Sequence, residues 1–210
     1  MKFTIVYDNE ALEGYIPGWG FSCYIEGKNR VLFDTGWDGN ILLHNMETAG
    51  VDDFDYIILS HQHWDHISGL NHVIDRTSYV VVPYSFSSNL KREIARKAEV
   101  IEVKDATMIA DGIHSTGELG REREQSAIFE TSKGLVLLTG CAHPGLDKIV
   151  MKAKEFGGLF AIMGGFHDFD NIEVLSEFNL VIPCHCTARK QEILKMKNVK
   201  RGVAGSVFEF

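Results

Sequence analysis

The chain has 210 residues, with 21 basic and 29 acidic side chains, and its formal net charge is -8. This length suits one domain, and we predict a single domain over residues 1–210. Hydrophobic residues at 45% and charged residues at 24% exclude an intrinsically disordered chain. The acidic balance disfavours nucleic acid and anionic lipid as partners, since both bind basic surfaces. We therefore expect a small-molecule substrate, and the oligomeric state stays open.

No segment of the sequence has the length and polarity of a membrane span. The longest apolar run, residues 157–166, has about half the length that crosses a bilayer. Asp8 and Glu10 interrupt the apolar N-terminus before it reaches the length of a signal-peptide core. These observations predict a cytoplasmic protein.

Short β-rich runs alternate with helical patterns and end in Gly, Pro or Asp. The predicted strands, in chain order, are residues 2–7, 21–26, 30–34, 56–60, 79–82, 100–103, 126–130, 135–139, 159–163 and 180–183. The predicted helices are residues 40–49, 65–74, 87–97, 146–156, 172–178 and 189–196. This arrangement favours a layered α/β or α+β domain with helices outside packed sheets.

Most side chains suited to chemistry come directly after predicted strands. They are Asp34, His61, Cys141, His143, His167 and His185. Strand ends in layered sheets open onto a common crevice, where loops carry functional groups on a rigid base. We therefore expect these segments of the chain to meet at one rim.

The strongest functional signal is the motif His-Gln-His-Trp-Asp-His at residues 61–66. His61 and His63 are two residues apart just beyond a strand, so an extended backbone points both imidazoles the same way, toward one ion. Asp65 and His66 follow where the pattern becomes helical, and this turn sends their side chains toward a second ion. Such ligands are typical of zinc, with manganese, iron or nickel as alternatives. The motif predicts a site for one or two ions.

These motifs resemble those of the metallo-β-lactamase superfamily. Residues 33–36 (Phe-Asp-Thr-Gly) look like the first motif of the family, residues 61–66 like the second, and residues 183–185 (Pro-Cys-His) like the last. The resemblance implies an α+β fold, a four-layer αββα sandwich, with one or two metal ions at the edges of the sheets.

The resemblance also implies roles for individual residues. It places His61 and His63 on the first ion, and Asp65, His66 and His185 on the second. Asp34 is then a carboxylate that orients a ligand or binds the ion itself.

The chain departs from the family pattern in the late strands. Most hydrolases of the superfamily have a histidine before a late strand and a bridging aspartate just after it. Here the strand at residues 135–139 ends in Gly-Cys-Ala-His, and no aspartate follows directly. The simplest hypothesis is that His143 completes the first ligand set and that the bridging carboxylate is absent or replaced by Cys141. His114 is the alternative third ligand, and we favour His143 because it lies at a strand end.

The resemblance implies a metal-dependent hydrolase in which a metal-bound hydroxide attacks a small, anionic substrate, a class that includes phosphorylated molecules, with Asp65 as ligand and catalytic residue. The segments around residues 139–145, 164–167 and 183–187 are similar to a branch that includes archaeal enzymes named 7,8-dihydropterin-6-methyl-4-(β-D-ribofuranosyl)-aminobenzene-5'-phosphate synthase. That branch implies instead a synthase that releases diphosphate from a pterin diphosphate. A non-catalytic metal or ligand sensor is a further alternative, since it needs no open coordination position.

Two further residues have open assignments. His167 is a candidate ligand, a substrate donor or a satisfied core histidine. Arg189 begins a predicted helix after His185 and is a candidate for binding a substrate phosphate. A charged side chain on a solvated helix face is the commoner explanation for such an arginine.

Overall fold

The structure, a computed structural model, describes residues 1–169 and 171–210. Its strands are β1 (Lys2–Tyr7), β2 (Ser22–Glu26), β3 (Arg30–Phe33), β4 (Tyr56–Ile58), β5 (Tyr79–Pro83), β6 (Glu99–Val103), β7 (Thr107–Ala110), β8 (Ile113–Ser115), β9 (Ala127–Thr131), β10 (Gly134–Thr139), β11 (Leu159–Gly165), β12 (Leu180–Cys184) and β13 (Val207–Glu209). Its helices are α1 (Gly39–Thr48), α2 (Trp64–Ile67), α3 (Leu70–Val73), α4 (Ser88–Ile94), α5 (Leu146–Ala153) and α6 (Lys190–Ile193). Turns of 3₁₀ helix lie at Ile74–Arg76, Lys154–Phe156 and Ile172–Glu177.

The strands form two mixed sheets. One has the order β13-β1-β2-β3-β4-β5-β6 and the other the order β12-β11-β10-β9-β8-β7. Strands β3 to β6 are parallel in the first sheet, and strands β10 to β12 are parallel in the second. Helices or helical turns connect these parallel strands, because parallel neighbours need a crossover connection.

Three apolar cores hold the layers together. Side chains from the inner faces of both sheets, among them Phe3, Phe129 and Met163, form the core between the sheets. A second core packs α1, α3 and α4 against the first sheet, and a third packs α5 and α6 against the second. Helices thus cover both outer faces, and the predicted α+β sandwich is confirmed.

The structure differs from the sequence prediction in its short elements. The prediction omits β7, β8 and β13, of which β13 pairs with β1 at the opposite end of the chain. The helix predicted over residues 65–74 is two helices, α2 and α3. The chain leaves the helical path because the Asp65 carbonyl accepts from the Phe21 N–H (3.3 Å), while the Gly69 N–H donates to the Gly36 carbonyl (3.3 Å). Contacts with two loops therefore replace the helical hydrogen bond between these residues.

The parallel strands direct their carboxyl ends to one edge of the sandwich. Chain segments that leave β3, β4, β10, β11 and β12 at this edge carry the candidate functional residues. Among the helices in the described ranges, none is long and apolar enough to cross a membrane.

Helix α1 begins with a side-chain cap that has a predictable effect on stability. Asp38 Oδ1 accepts hydrogen bonds from the backbone N–H of Asn40 (2.8 Å) and Ile41 (3.3 Å). We expect Asp38→Ala to lower the free energy of unfolding by about 1 kcal/mol in urea titrations, because these N–H groups lose their partner. Asp38→Asn keeps an acceptor and is the matched control. An equal loss in both variants would contradict the capping role.

Candidate metal centre

Two groups of ligand atoms meet at this edge of the sandwich. Cluster 1 comprises His61, His63, Cys141 and His143, and cluster 2 comprises Asp65, His66, Cys141 and His185. Within each of the sets His61–Cys141–His143 and His66–Cys141–His185, the ligand atoms all lie within 4.8 Å of one another. The Cys141 thiol belongs to both sets and thus lies between the two clusters.

The imidazole nitrogens of cluster 1 face one another. His61 Nε2 is 2.9 Å from His63 Nδ1, and His63 Nδ1 is 3.2 Å from His143 Nε2. His61 is buried, His143 is half-buried and His63 is exposed, so the cluster opens to solvent on the side of His63. The structure therefore brings His143 to the position at which the sequence predicts a third ligand.

Cluster 2 lies deeper and includes a carboxylate. His66 Nε2 is 3.1 Å from Cys141 Sγ, and Asp65 Oδ2 is 3.1 Å from His185 Nε2 and 3.8 Å from His66 Nε2. Ligand atoms on one tetrahedral zinc ion are about 3.3–3.6 Å apart. The spacing in both clusters is thus close to that of metal ligands.

Neighbouring residues orient the imidazoles of His61 and His66 through contacts at their Nδ1 atoms. Asp34 Oδ2 is 2.7 Å from both the Ser60 hydroxyl and His66 Nδ1. The Ser60 hydroxyl, which donates to Asp34, is 2.9 Å from His61 Nδ1. We assign the Nδ1–H tautomer to His61 and His66 on this basis, which leaves the lone pair of each Nε2 directed into the clusters. Asp34 thus contacts His66 directly and His61 through Ser60, and its role in the metal centre stays a prediction.

His185 provides a direct test of whether these residues fit a metal ion. Its Nδ1 is 3.0 Å from Asn9 Oδ1, which fixes the ring, and its buried Nε2 makes no hydrogen bond. Asp65 Oδ2 lies 3.1 Å from this nitrogen, but with the ring proton on Nδ1 toward Asn9 both atoms are acceptors, so no hydrogen bond joins them. A buried polar atom without a hydrogen-bond partner destabilises the folded state unless a ligand binds to it. The donor set of imidazoles, a thiol and a carboxylate suits a divalent ion.

The electrostatic environment keeps most of these imidazoles neutral. Burial lowers the pKa of His61 and of His185, and burial with the nearby His167 lowers the pKa of His143 to about 4. Neutral imidazoles have the lone pair that a metal ion requires. His66 differs, because burial lowers its pKa but the Asp34 carboxylate more than compensates and raises it. A metal ion at His66 therefore competes with a proton more strongly than at His61, His143 or His185.

Asp65 and Cys141 have opposite tendencies to ionise. Burial alone would raise the pKa of Asp65, but the nearby imidazoles of His185 and His66, in their protonated forms, hold it below its usual range. The hydrogen bond with Cys186 and burial raise the pKa of the Cys141 thiol. Asp65 is thus an anion at neutral pH, whereas the Cys141 thiol loses its proton when a cation binds.

The structure adds two buried carboxylates that the sequence prediction omits. Glu124 accepts hydrogen bonds from the backbone N–H of Cys141, Ala142 and His143, at 2.8 to 2.9 Å. Asp8 accepts a hydrogen bond of 2.7 Å from the backbone N–H of His185. Burial raises the pKa of Asp8 to about 6, although the Lys190 ammonium opposes this rise. Each carboxylate holds a loop that carries predicted ligands.

Backbone strain is concentrated at the same edge. In the described ranges, the non-glycine residues with positive φ are Asp34 (55°), Arg123 (55°), Ala142 (62°), His167 (47°) and His185 (45°). His185 is a candidate ligand, Asp34 contacts His66, and Ala142 lies between Cys141 and His143. Arg123 precedes Glu124, and the His167 ring lies against that of His143. Left-handed backbone costs about 1–2 kcal/mol per residue and persists where the surroundings enforce it. The site is therefore held in a strained, fixed geometry.

Three of the predicted site residues lie outside the two clusters. His114 Nε2 is 2.7 Å from Glu130 Oε1 and its ring packs against Phe156, so the structure does not bring it to the clusters. The His167 ring lies 4.6 Å from that of His143, at the exposed rim. The Arg189 guanidinium donates to both carboxylate oxygens of Glu192 at 2.8 to 2.9 Å. A role for Arg189 in phosphate binding stays a prediction.

Fold and residue pattern together define the class of protein. The sequence model of the metallo-beta-lactamase superfamily, a family model, matches residues 20–170, and the chain belongs to this superfamily. Its members bind divalent metal ions, commonly zinc.

Among relatives, an uncharacterized protein of Methanocaldococcus jannaschii is 28% identical over 97% of this chain and 96% of its own length. The 7,8-dihydropterin-6-methyl-4-(beta-D-ribofuranosyl)-aminobenzene-5'-phosphate synthase of the same organism is 27% identical over 87% of this chain and 85% of its own. The fold is similar to that of Tm1679, a metal-dependent hydrolase of the beta-lactamase superfamily, with a TM-score of 0.79, 23% identity, and coverage of 100% and 99% of the two chains.

Proposed function

We propose that the protein is a metal-dependent hydrolase that acts on a small, anionic substrate, with zinc as its ion. The observation that carries this proposal is the pair of ligand clusters that share Cys141, in which His185 Nε2 is buried without a hydrogen-bond partner. His61, His63 and His143 would hold one ion with Cys141. Asp65, His66 and His185 would hold a second with the same thiol.

When bound, such an ion supplies Lewis acidity that activates water and polarises an ester or phosphoryl oxygen. The side chains of this protein determine where the substrate lies relative to that chemistry. His63 is exposed and His143 half-buried, so cluster 1 is open to solvent on their side. Asp65 is ionised and 15% exposed, so the carboxylate oxygen that does not hold the ion can orient the attacking water by accepting a hydrogen bond from it. As the water oxygen bonds to the carbonyl carbon or phosphorus, the bond from that atom to the leaving group breaks, and the leaving group departs with its electron pair.

The charge distribution favours an anionic small molecule over nucleic acid. The chain has a net charge of -8, so an extended polyanion meets a repulsive surface. Divalent ions in the two clusters would concentrate positive charge at one point at the edge of the sandwich. A single phosphate or carboxylate meets far less repulsion from the net charge of the chain than a polyanion does.

One relative favours a second candidate function. The 27% identical protein of Methanocaldococcus jannaschii is a dihydropterin-related synthase, and the match covers 87% of this chain. For that reaction the site would assist the departure of diphosphate, and no water need attack. Release of diphosphate from a pterin diphosphate in the presence of an aminobenzene acceptor decides between the two functions.

The proposal predicts the behaviour of a His63 variant. We expect His63→Ala to lower turnover by about 10- to 100-fold and to reduce bound metal, because an exposed ligand of cluster 1 is lost. The measurements are metal content by elemental analysis and initial rates on a panel of phosphodiester, lactone, thioester and β-lactam substrates.

A remote histidine provides the matched control for this experiment. His72 lies exposed on α3, and we expect His72→Ala to keep full metal content and turnover. Folded wild-type protein that binds no divalent metal would overturn the proposal. Unchanged turnover in the His63 variant would show that cluster 1 takes no part in the reaction.

A further inference from the structure

The tryptophans of this chain are unusually exposed. The sequence has three, and the exposed fractions are 58% for Trp19, 55% for Trp37 and 70% for Trp64. Tryptophan is ordinarily well buried on average, because its ring is large and mostly apolar. Grouped large apolar side chains on a protein surface mark places where a ligand or partner binds.

These tryptophans lie beside the metal centre. The Trp19 ring contacts the His185 ring edge-on, with 5.0 Å between centroids. The next residue, Gly20, donates its N–H to Asn9 Oδ1 (3.2 Å), the same oxygen that lies next to His185 Nδ1. Trp64 directly precedes Asp65 in the sequence. The Trp19 ring is therefore in direct contact with a candidate ligand of cluster 2.

Trp19 and Trp37 line an open cleft of about 390 Å³. The other residues around it are Tyr7, Gly18, Asp38 and Ile41. The Asp38 carboxylate already accepts the hydrogen bonds that cap α1, so the cleft presents mainly ring and aliphatic surface. A volume of this size falls within the about 300–1,000 Å³ typical of small-molecule sites.

The loop that carries Trp19 is held in place by close backbone contacts. Gly20 has a φ of +135°, and a Cβ at this position would lie 2.4 Å from the carbonyl oxygen of Asp65. The Phe21 N–H donates to that oxygen (3.3 Å), and the Phe21 carbonyl accepts from the Gly36 N–H (3.1 Å). The position of Trp19 relative to Asp65 and Trp37 is thus fixed before any ligand arrives.

We propose that the Trp19–Trp37 cleft binds a planar aromatic or heteroaromatic part of the substrate, while the anionic part reaches the metal centre. This inference rests on the proposed function, because it places the reacting end of the substrate at clusters 1 and 2. It narrows the substrate class to small molecules that combine a flat ring with an acidic group. Indole faces stack on such rings, and the fixed loop limits the entropy lost on binding.

The test uses three probes that the protein cannot hydrolyse, titrated calorimetrically into metal-loaded protein. Methylphosphonate carries the anionic group alone, naphthylmethanol carries the ring alone, and naphthylmethylphosphonate carries both. We expect naphthylmethylphosphonate to bind more tightly than either of the others. Trp19→Ala and Trp37→Ala should each weaken its binding by roughly three- to tenfold, and leave the affinity for methylphosphonate unchanged.

Controls separate failure of this inference from failure of the proposed function. Met151 is exposed on α5, and Met151→Ala should change none of the affinities. Equal affinity for methylphosphonate and naphthylmethylphosphonate, or unchanged affinity for the latter in both tryptophan variants, would overturn the aromatic subsite. Equal affinity for naphthylmethanol and naphthylmethylphosphonate would instead count against an anion site at the metal centre. Trp19→Phe keeps a ring and should keep most of the affinity if stacking is the cause.

Discussion

Cys141→Ala is expected to lower metal content at both clusters and to reduce turnover on the order of 100-fold or more. Its thiol is the one ligand atom common to the sets His61–Cys141–His143 and His66–Cys141–His185. The sulfur lies 3.1 Å from His66 Nε2 and is buried, so water has little room to replace it. Elemental analysis of the purified variant and initial rates measure the two effects.

Another buried cysteine provides the matched control for this prediction. Cys184 lies in β12, and its side chain belongs to the apolar core between the sheets. We expect Cys184→Ala to keep its metal content, although the smaller side chain lowers stability. Cys141→Ser should fall between wild type and Cys141→Ala in metal content, since a hydroxyl is a weaker ligand than a thiolate. Full metal occupancy in the Cys141→Ala variant would show that the thiol is a packing group only.

Much of the fold could be predicted because apolar runs in the sequence coincide with buried strands. Strand β1 occupies the predicted residues 2–7, and the other predicted strands differ by one or two residues at their ends. The sequence prediction omits the short strands β7, β8 and β13 for physical reasons. β13 has three residues and depends on pairing with β1, so its own residues carry little signal. The Asp111-Gly112 turn between β7 and β8 is a hairpin signal that could have indicated this pair.

The candidate ligands could be predicted because they follow strands directly. The residues that orient them were harder to find, since they act across long sequence separations. Glu124 stands in a run of charged residues that looks like solvated surface, yet it contacts residues 141–143. Asp8 follows β1 just as Asp34 follows β3, so the same rule of strand ends could have identified it. The sequence pattern does not indicate which residues a buried carboxylate will contact in the folded protein.

The placement of Glu124 gives a second prediction with a large effect, this time on stability and on metal binding together. Glu124→Ala leaves the backbone N–H groups of Cys141, Ala142 and His143 without their acceptor in a buried loop. Each unsatisfied group costs about 1–3 kcal/mol, so we expect the free energy of unfolding to fall by about 3 kcal/mol or more. Ala142 has a φ of 62°, and loss of the carboxylate removes one of the hydrogen bonds that hold this strained conformation.

The consequence for function is that the loop moves and both Cys141 and His143 leave their clusters. We therefore expect Glu124→Ala to bind metal at least tenfold more weakly, measured by competition with a chelator under conditions where the variant is still folded. Glu124→Gln retains one acceptor oxygen and should show a smaller loss of both stability and metal affinity. Glu122→Ala, at an exposed position two residues before Glu124, should change the free energy of unfolding by no more than about 0.5 kcal/mol. A Glu124→Ala variant that is destabilised but binds metal as tightly as wild type would show that the carboxylate supports folding without positioning the ligands.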